Sequence, residues 1–177
     1  FDMPENLTFI NNSAFKNSSI RKIHFNNKIE RIGKSAFQNC YQLKEITFDD
    51  FKSFEIKNKT RKMVIDKYAF ENSSISNELI FPKYVESIKD YAFANCNDLN
   101  GKITIYGGKF SEGVFQNCSK VTSLEMYDGF LGPHSFNGCK CFTGPINLYY
   151  KSMIGPNAFE GFQECKFSIK ISSYLGI

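Results

Sequence analysis

Apolar and polar residues alternate along this chain in short stretches, and the stretches return at a regular interval. Leu43-x-x-Ile46-x-Phe48, Leu99 with Ile103-x-Ile105, and Val121-x-x-Leu124-x-Met126 each put every second side chain on one face. A period of two over so few residues predicts a strand and not a helix. Turn residues follow ("NNK", "YGG", "YDG"), then an apolar pair such as Ile29/Ile32 or Val85/Ile88. Each unit then reaches a related hexapeptide: "SAFKNS" from Ser13, "SAFQNC" from Ser35, "YAFENS" from Tyr68 and "YAFANC" from Tyr91. Looser copies begin at Gly113, His134 and Asn157.

The aromatics of these hexapeptides are Phe15, Phe37, Phe70, Phe93, Phe115, Phe136 and Phe159, spaced by 22, 33, 23, 22, 21 and 23 residues. Three residues after the aromatic stands a small residue, Ser18, Cys40, Ser73, Cys96, Cys118 or Cys139, with Phe162 breaking the rule. A unit of ~22 residues cannot bury its own apolar side, whereas stacked copies bury a continuous core. The expectation is therefore an α/β repeat solenoid of about seven repeats, with like positions stacked at the ~4.8 Å inter-strand spacing. Parallel strands would line one face, and the hexapeptides would form short helices or turns on the other. A β-sandwich would not need the same residue types at the same offsets. Residues 1–177 read as a single solenoid segment that cuts through a repeat at both ends, so a longer parent protein is expected. Residues 49–62 read as an insertion loop.

The pattern L-x-x-I-x-(I/F)-x-x-x-(I/V)-x-x-I-G-x-x-A-F-x-N-C, best seen in residues 29–48 ("IERIGKSAFQNCYQLKEITF"), resembles the BspA-type leucine-rich repeat. The likeness extends over essentially the whole chain. It departs in supplying Ile and Phe where the family name promises Leu, and in keeping the Gly only as Gly33, Gly132 and Gly155. The resemblance implies a leucine-rich-repeat-like fold in a cell-surface or secreted protein of an anaerobic bacterium or parasitic protist. It also implies adhesion or host interaction.

Composition narrows the function further. Hydrophobic residues at 42% and charged residues at 23% describe a folded chain. No apolar run approaches the ~18 residues of a membrane span. The net charge of +4, carried by 19 Lys and 3 Arg, falls short of a nucleic-acid footprint. No nucleic-acid partner is expected.

Cys40, Cys96, Cys118 and Cys139 share one repeat position with Ser18 and Ser73, which predicts a buried ladder of small residues in place of chemistry. Stacked side chains point in parallel, an unfavourable geometry for disulfides. Cys139-x-Cys141, with His134 nearby and Cys165 one unit on, lacks the remaining ligands of a zinc site, so no metal and no cofactor are expected. The only histidines, His24 and His134, stand far apart in sequence, and no nucleophile or phosphate-loop motif occurs. The chain reads as non-catalytic. Sequons at Asn17, Asn72 and Asn117 occupy the repeat's own Asn position, where turn hydrogen bonding explains them. Others fall at Asn6 and Asn11, and Asn58 lies in the insertion.

If Ile23/Phe25 and their equivalents point inward, one outward row reads His24, Thr47, Ile80, Thr104, Glu125, Asn147, Lys170. The next reads Asn26, Asp49, Pro82, Tyr106, Tyr127, Tyr149, with Tyr150 adjacent. Three tyrosines on consecutive units make an aromatic strip, a composition favoured at recognition surfaces. Thr47, Thr104, Glu125 and this strip are candidate contacts for a protein or glycan partner; the alternative is that the tyrosines only support the sheet. Lys57, Lys59, Arg61 and Lys62 form a basic cluster in the insertion, either a site for acidic glycans or solvated surface. A binding module, a passive spacer in a longer surface protein and an intracellular scaffold all remain open. End-to-end self-association through uncapped terminal faces is a further expectation.

Overall fold

Most coils supply two strands and one tight turn, because their two apolar stretches must both face the same interior, and in two later coils the two stretches run on as one long strand. The computed structural model describes residues 3–49, 62–140, 142–162 and 168–172. Among them lie β1 (Phe9–Ile10), β2 (Lys22–Phe25), β3 (Arg31–Ile32), β4 (Glu45–Phe48), β5 (Met63–Ile65) and β6 (Leu79–Phe81). There follow β7 (Val85–Ile88), β8 (Asn100–Ile105), β9 (Lys109–Phe110), β10 (Lys120–Leu131), β11 (Ile146–Ile154) and β12 (Ile169–Ser172). Every pairing between them is parallel.

The strands form two rows. One runs β1-β3-β5-β7-β9, and the other carries β2-β4 and then β6-β8; both rows converge in the long β10 and β11. The second row holds the predicted alternation. Its register places Leu79, Ile103, Leu124, Ile146 and Ile169 in one column, with Phe81, Ile105, Met126, Leu148 and Ile171 in another. The first row comes from the apolar pairs Ile29/Ile32 and Val85/Ile88. Its early strands are two to four residues long, too short for an alternation signal.

The seven anchor phenylalanines form one spine. Consecutive rings stack nearly parallel, with centroids 5.1, 5.1, 4.8, 5.7, 5.0 and 5.7 Å apart from Phe15 to Phe159. Strand residues pack edge-on against it: Phe25 meets Phe37 and Phe70, and Phe81 meets Phe93. Such pairs add about 0.5–1.5 kcal/mol each beyond burial. Seven anchors bound six periods, so the chain has about six turns and not seven repeats.

The hexapeptides are turns; no helix occurs among the described residues, and the expected short helices are corrected. The residues two before and two after the anchor are left-handed, as in Ser35 (φ 56°) and Asn39 (φ 61°). A right-handed helix cannot continue through them. The hydrogen bonds give the second reason. Ser35, Phe37 and Asn39 donate their N–H groups to Lys67, Ala69 and Glu71 of the next coil. Ala36, Gln38 and Cys40 donate within the turn, to Gly33, Ser35 and Phe37. A helix would spend all these donors internally and leave none to join coils.

The second row is interrupted once. Strands β2 and β4 make a sheet of their own, and among the described residues no backbone hydrogen bond joins β4 to β6. Asn77 bridges the break instead: its Oδ1 accepts from Ile46 N (3.1 Å) and its Nδ2 donates to Ile46 O (2.9 Å). The break falls in the coil with the 33-residue spacing.

Candidate functional site

The outward rows follow the predicted register on each side of the break. His24 pairs with Thr47, and Ile80, Thr104, Glu125, Asn147 and Lys170 pair in succession. In the neighbouring row the rings of Tyr106 and Tyr127 stack at 4.9 Å, and those of Tyr127 and Tyr149 at 4.5 Å, parallel within 8°. Stacking across the sheet covers both faces of the Tyr127 ring and leaves ring edges at the surface. Tyr127 faces two residues, Tyr149 and Tyr150, because β11 carries a bulge there. The Tyr150 side chain lies outside the described residues.

Glu125 organises the strip. Its Oε1 accepts from the Tyr127 hydroxyl at 3.0 Å and lies 3.5 Å from that of Tyr149, while its Oε2 accepts from Lys102 Nζ at 2.9 Å. The Lys102 ammonium holds the carboxyl below its ordinary range, against a smaller opposing effect of burial. Burial, and then the bond to Glu125, pushes the Tyr127 phenol up, so it remains a donor at neutral pH. Thr104 does not join the accessible surface. It is 4% exposed, since its short side chain sits in register between the longer Ile80 and Glu125.

At the break the strip meets a groove of about 190 Å³. Phe48 and Asp49 border it together with Glu78, Ile80, Pro82 and Tyr106. Ile80 is 55% exposed, which is unusual for its type on a strand. Asp49 is fixed on both oxygens: Oδ1 lies 2.9 Å from His24 Nε2, and Oδ2 accepts from Asn27 N at 2.8 Å. The carboxylate can only accept, so with a neutral ring Nε2 carries the proton and Nδ1 accepts from Thr47 Oγ1 at 2.9 Å. This hydroxyl–imidazole–carboxylate chain lies open to water, with the His24 side chain 52% exposed. It orients Asp49 at the groove rim.

The remaining sequence candidates divide. Cys40, Cys96, Cys118 and Cys139 are buried, and each Sγ donates to the carbonyl of the preceding coil's anchor, Phe15, Phe70, Phe93 and Phe115, at 3.1–3.2 Å. Ser73 Oγ does the same to Phe37 O at 2.7 Å. The asparagines also form a ladder: Asn39 donates to Asn17, Asn72 to Asn39 and Asn117 to Asn95. Lys62 pairs with Glu86. Lys57, Lys59, Arg61, Asn58, Cys141 and Cys165 lie outside the described residues. No group of three or more metal-ligating side chains occurs among those described.

Sequence reasoning missed the groove, the Asn77 bridge and a second tyrosine stack, Tyr68 on Tyr91 at 5.8 Å, on the turn face. The stack was legible, since both tyrosines stand two residues before an anchor. Nothing in the spacing marks Asn77.

The model for the BspA type leucine-rich repeat region matches residues 1–59 and 49–167, in six copies. No curated protein sequence matches. Three solved structures are similar to this chain at low identity, and the first of them shares its fold. The leucine-rich repeat protein TpLRR of T. pallidum is 17% identical, with a TM-score of 0.63 over 87% of this chain and 72% of that one. The pneumococcal vaccine antigen PcpA is 17% identical, with a TM-score of 0.48 over 95% and 61%. A leucine-rich repeat protein from Bacteroides ovatus is 16% identical, with a TM-score of 0.39 over 97% and 68%.

Proposed function

Because the chain belongs to the BspA-type leucine-rich repeat family, we propose that it is a non-catalytic binding module of a cell-surface or secreted protein. In this reading it presents the outer face of its second strand row to a protein or glycan partner in adhesion or host interaction. One observation carries the reading: Tyr106, Tyr127 and Tyr149 stack in one column, and the hydroxyls of Tyr127 and Tyr149 converge on Glu125. An interlocked column loses little entropy on binding, and tyrosine offers area with a polar end. A passive spacer is the second reading, favoured by the coil-to-coil hydrogen bonds that stiffen the chain.

Binding of the chain to a panel of extracellular-matrix proteins and to a glycan array separates the two. The module reading expects a specific partner, and it expects alanine at all three tyrosines to weaken that binding at least about tenfold. The triple Tyr→Phe variant keeps the stack and tests the hydroxyls alone. A spacer binds nothing on either panel.

A further inference from the structure

We propose that Tyr127 and Tyr149 form a site of oxidative cross-linking, at which a haem peroxidase with hydrogen peroxide joins their ortho carbons as dityrosine. The site stands whether or not the column also binds a partner.

Dityrosine formation needs two phenols in contact, a path for electrons and an acceptor for protons. The two rings lie 4.5 Å apart and parallel within 7°. Both hydroxyls approach Glu125 Oε1, at 3.0 and 3.5 Å, so the ortho carbons beside them lie at the same end of the stack. A bond there requires the rings to hinge open about those edges, and both are half-buried on the outer face instead of packed in the core. The same position lets a surface oxidant draw electrons. Tyr106, stacked on Tyr127 at 4.9 Å, offers a ring face to the positive charge of the oxidised phenol.

Glu125 supplies the acceptor. Burial and the bond to Glu125 keep the Tyr127 phenol protonated, so removing its electron must also move its proton. Lys102 keeps Glu125 ionised from 2.9 Å, and Oε1 already accepts the hydrogen bond along which that proton leaves. Each phenol gives one electron to the peroxidase and its hydroxyl proton to Oε1, from which it passes to water. The two phenoxyl radicals then form one carbon–carbon bond, and the ortho hydrogens move to the oxygens and restore both rings. Peroxide takes the two electrons and two protons and leaves as two waters. Tyr68 and Tyr91 also stack, but at 5.8 Å, and Glu112 holds only the Tyr91 hydroxyl. That pair lacks the shared acceptor. The product would tie two coils together covalently in a column where stacked thiols do not.

The test treats dilute protein with a haem peroxidase and limiting hydrogen peroxide, and follows dityrosine fluorescence, gel mobility and tryptic mass spectra. Expected is a cross-linked monomer in which the peptides 121–140 and 141–151 are joined with the loss of two hydrogens, in a yield independent of dilution. Tyr149→Phe keeps the stack and should cut that product at least about tenfold, whereas Tyr150→Phe and Tyr68→Phe should leave it unchanged. Glu125→Gln keeps a hydrogen-bond acceptor but no base, and should slow the reaction about tenfold or more. Dityrosine found only in dimers, or mapped to Tyr41, which is 64% exposed, marks random surface coupling and overturns the proposal. A bond from Tyr127 to Tyr106 or Tyr150, or an undiminished rate in Glu125→Gln, overturns it as well. Loss of partner binding in the tyrosine variants has no bearing on these readouts, so the two ideas fail separately.

Discussion

Cysteine and serine exchange in the turn because the position needs a small side chain that donates to the carbonyl one coil back. Cys118 Sγ reaches Phe93 O at 3.2 Å, and Ser73 Oγ reaches Phe37 O at 2.7 Å. Cys118→Ser should therefore change the unfolding free energy from urea titration by less than about 1 kcal/mol, whereas Cys118→Val should cost about 2–3 kcal/mol through crowding and a lost donor. Burial also pushes the Cys96 thiol up to about 12. The folded state thus keeps a proton that the unfolded thiol releases near its ordinary value of about 8.5. The resulting stability is complete below that value and is lost as pH rises towards 12. Urea midpoints from pH 8 to 11 should fall more steeply for the native chain than for Cys96→Ser; parallel curves would refute burial as the cause. At asparagine positions the left-handed backbone is the constraint, which is why Gly138 and Gly161 complete that column. The Asn/Gly exchange was open to sequence reasoning, but the donor role of the thiols required the carbonyls to be located.

Strands and turns differ in how far local pattern reveals them. Strands β4, β8 and β10 alternate over enough residues to be read directly. The hexapeptides have an apolar centre and small neighbours, which suits a helix as well as a turn. Donors shared with the next coil decide for the turn. The break between β4 and β6 belongs to the same class of feature. Asn77 imitates a strand backbone with one amide, so Asn77→Ala should remove both hydrogen bonds to Ile46 and cost about 1–3 kcal/mol. Hydrogen exchange at the Ile46 amide should quicken at the same time, and an unchanged rate would mean that the two halves of the row are held together by other contacts. The groove exists because a side chain occupies that gap in place of a paired strand.

Over the whole molecule, the columns make coils interchangeable. Removing residues 93–114, one full period, rejoins every column in register. The protein should still unfold cooperatively by circular dichroism. Stability of about 0.1 kcal/mol per residue puts the loss for 22 residues at about 2 kcal/mol, or about 4–8 °C in Tm for a chain of this size. Removing only residues 93–103 displaces all later columns by half a coil and should abolish the transition. Equal tolerance of both deletions would contradict a stacked spine. The ionic contacts on the outside also run from coil to coil, as in Asp98 between Lys44 and Lys120.

The amino-acid sequence alone determined the period, the identity of the stacked columns, and which residues of each strand face inward, because these follow from local alternation and an interval repeated in one chain. The tertiary structure alone decided what happens between coils: where the sheet parts, that Thr104 is covered, and that Lys102, Tyr127 and Tyr149 meet on Glu125. Each of those depends on the backbone pairing and relative side-chain lengths of two neighbouring coils, and no single repeat contains that information.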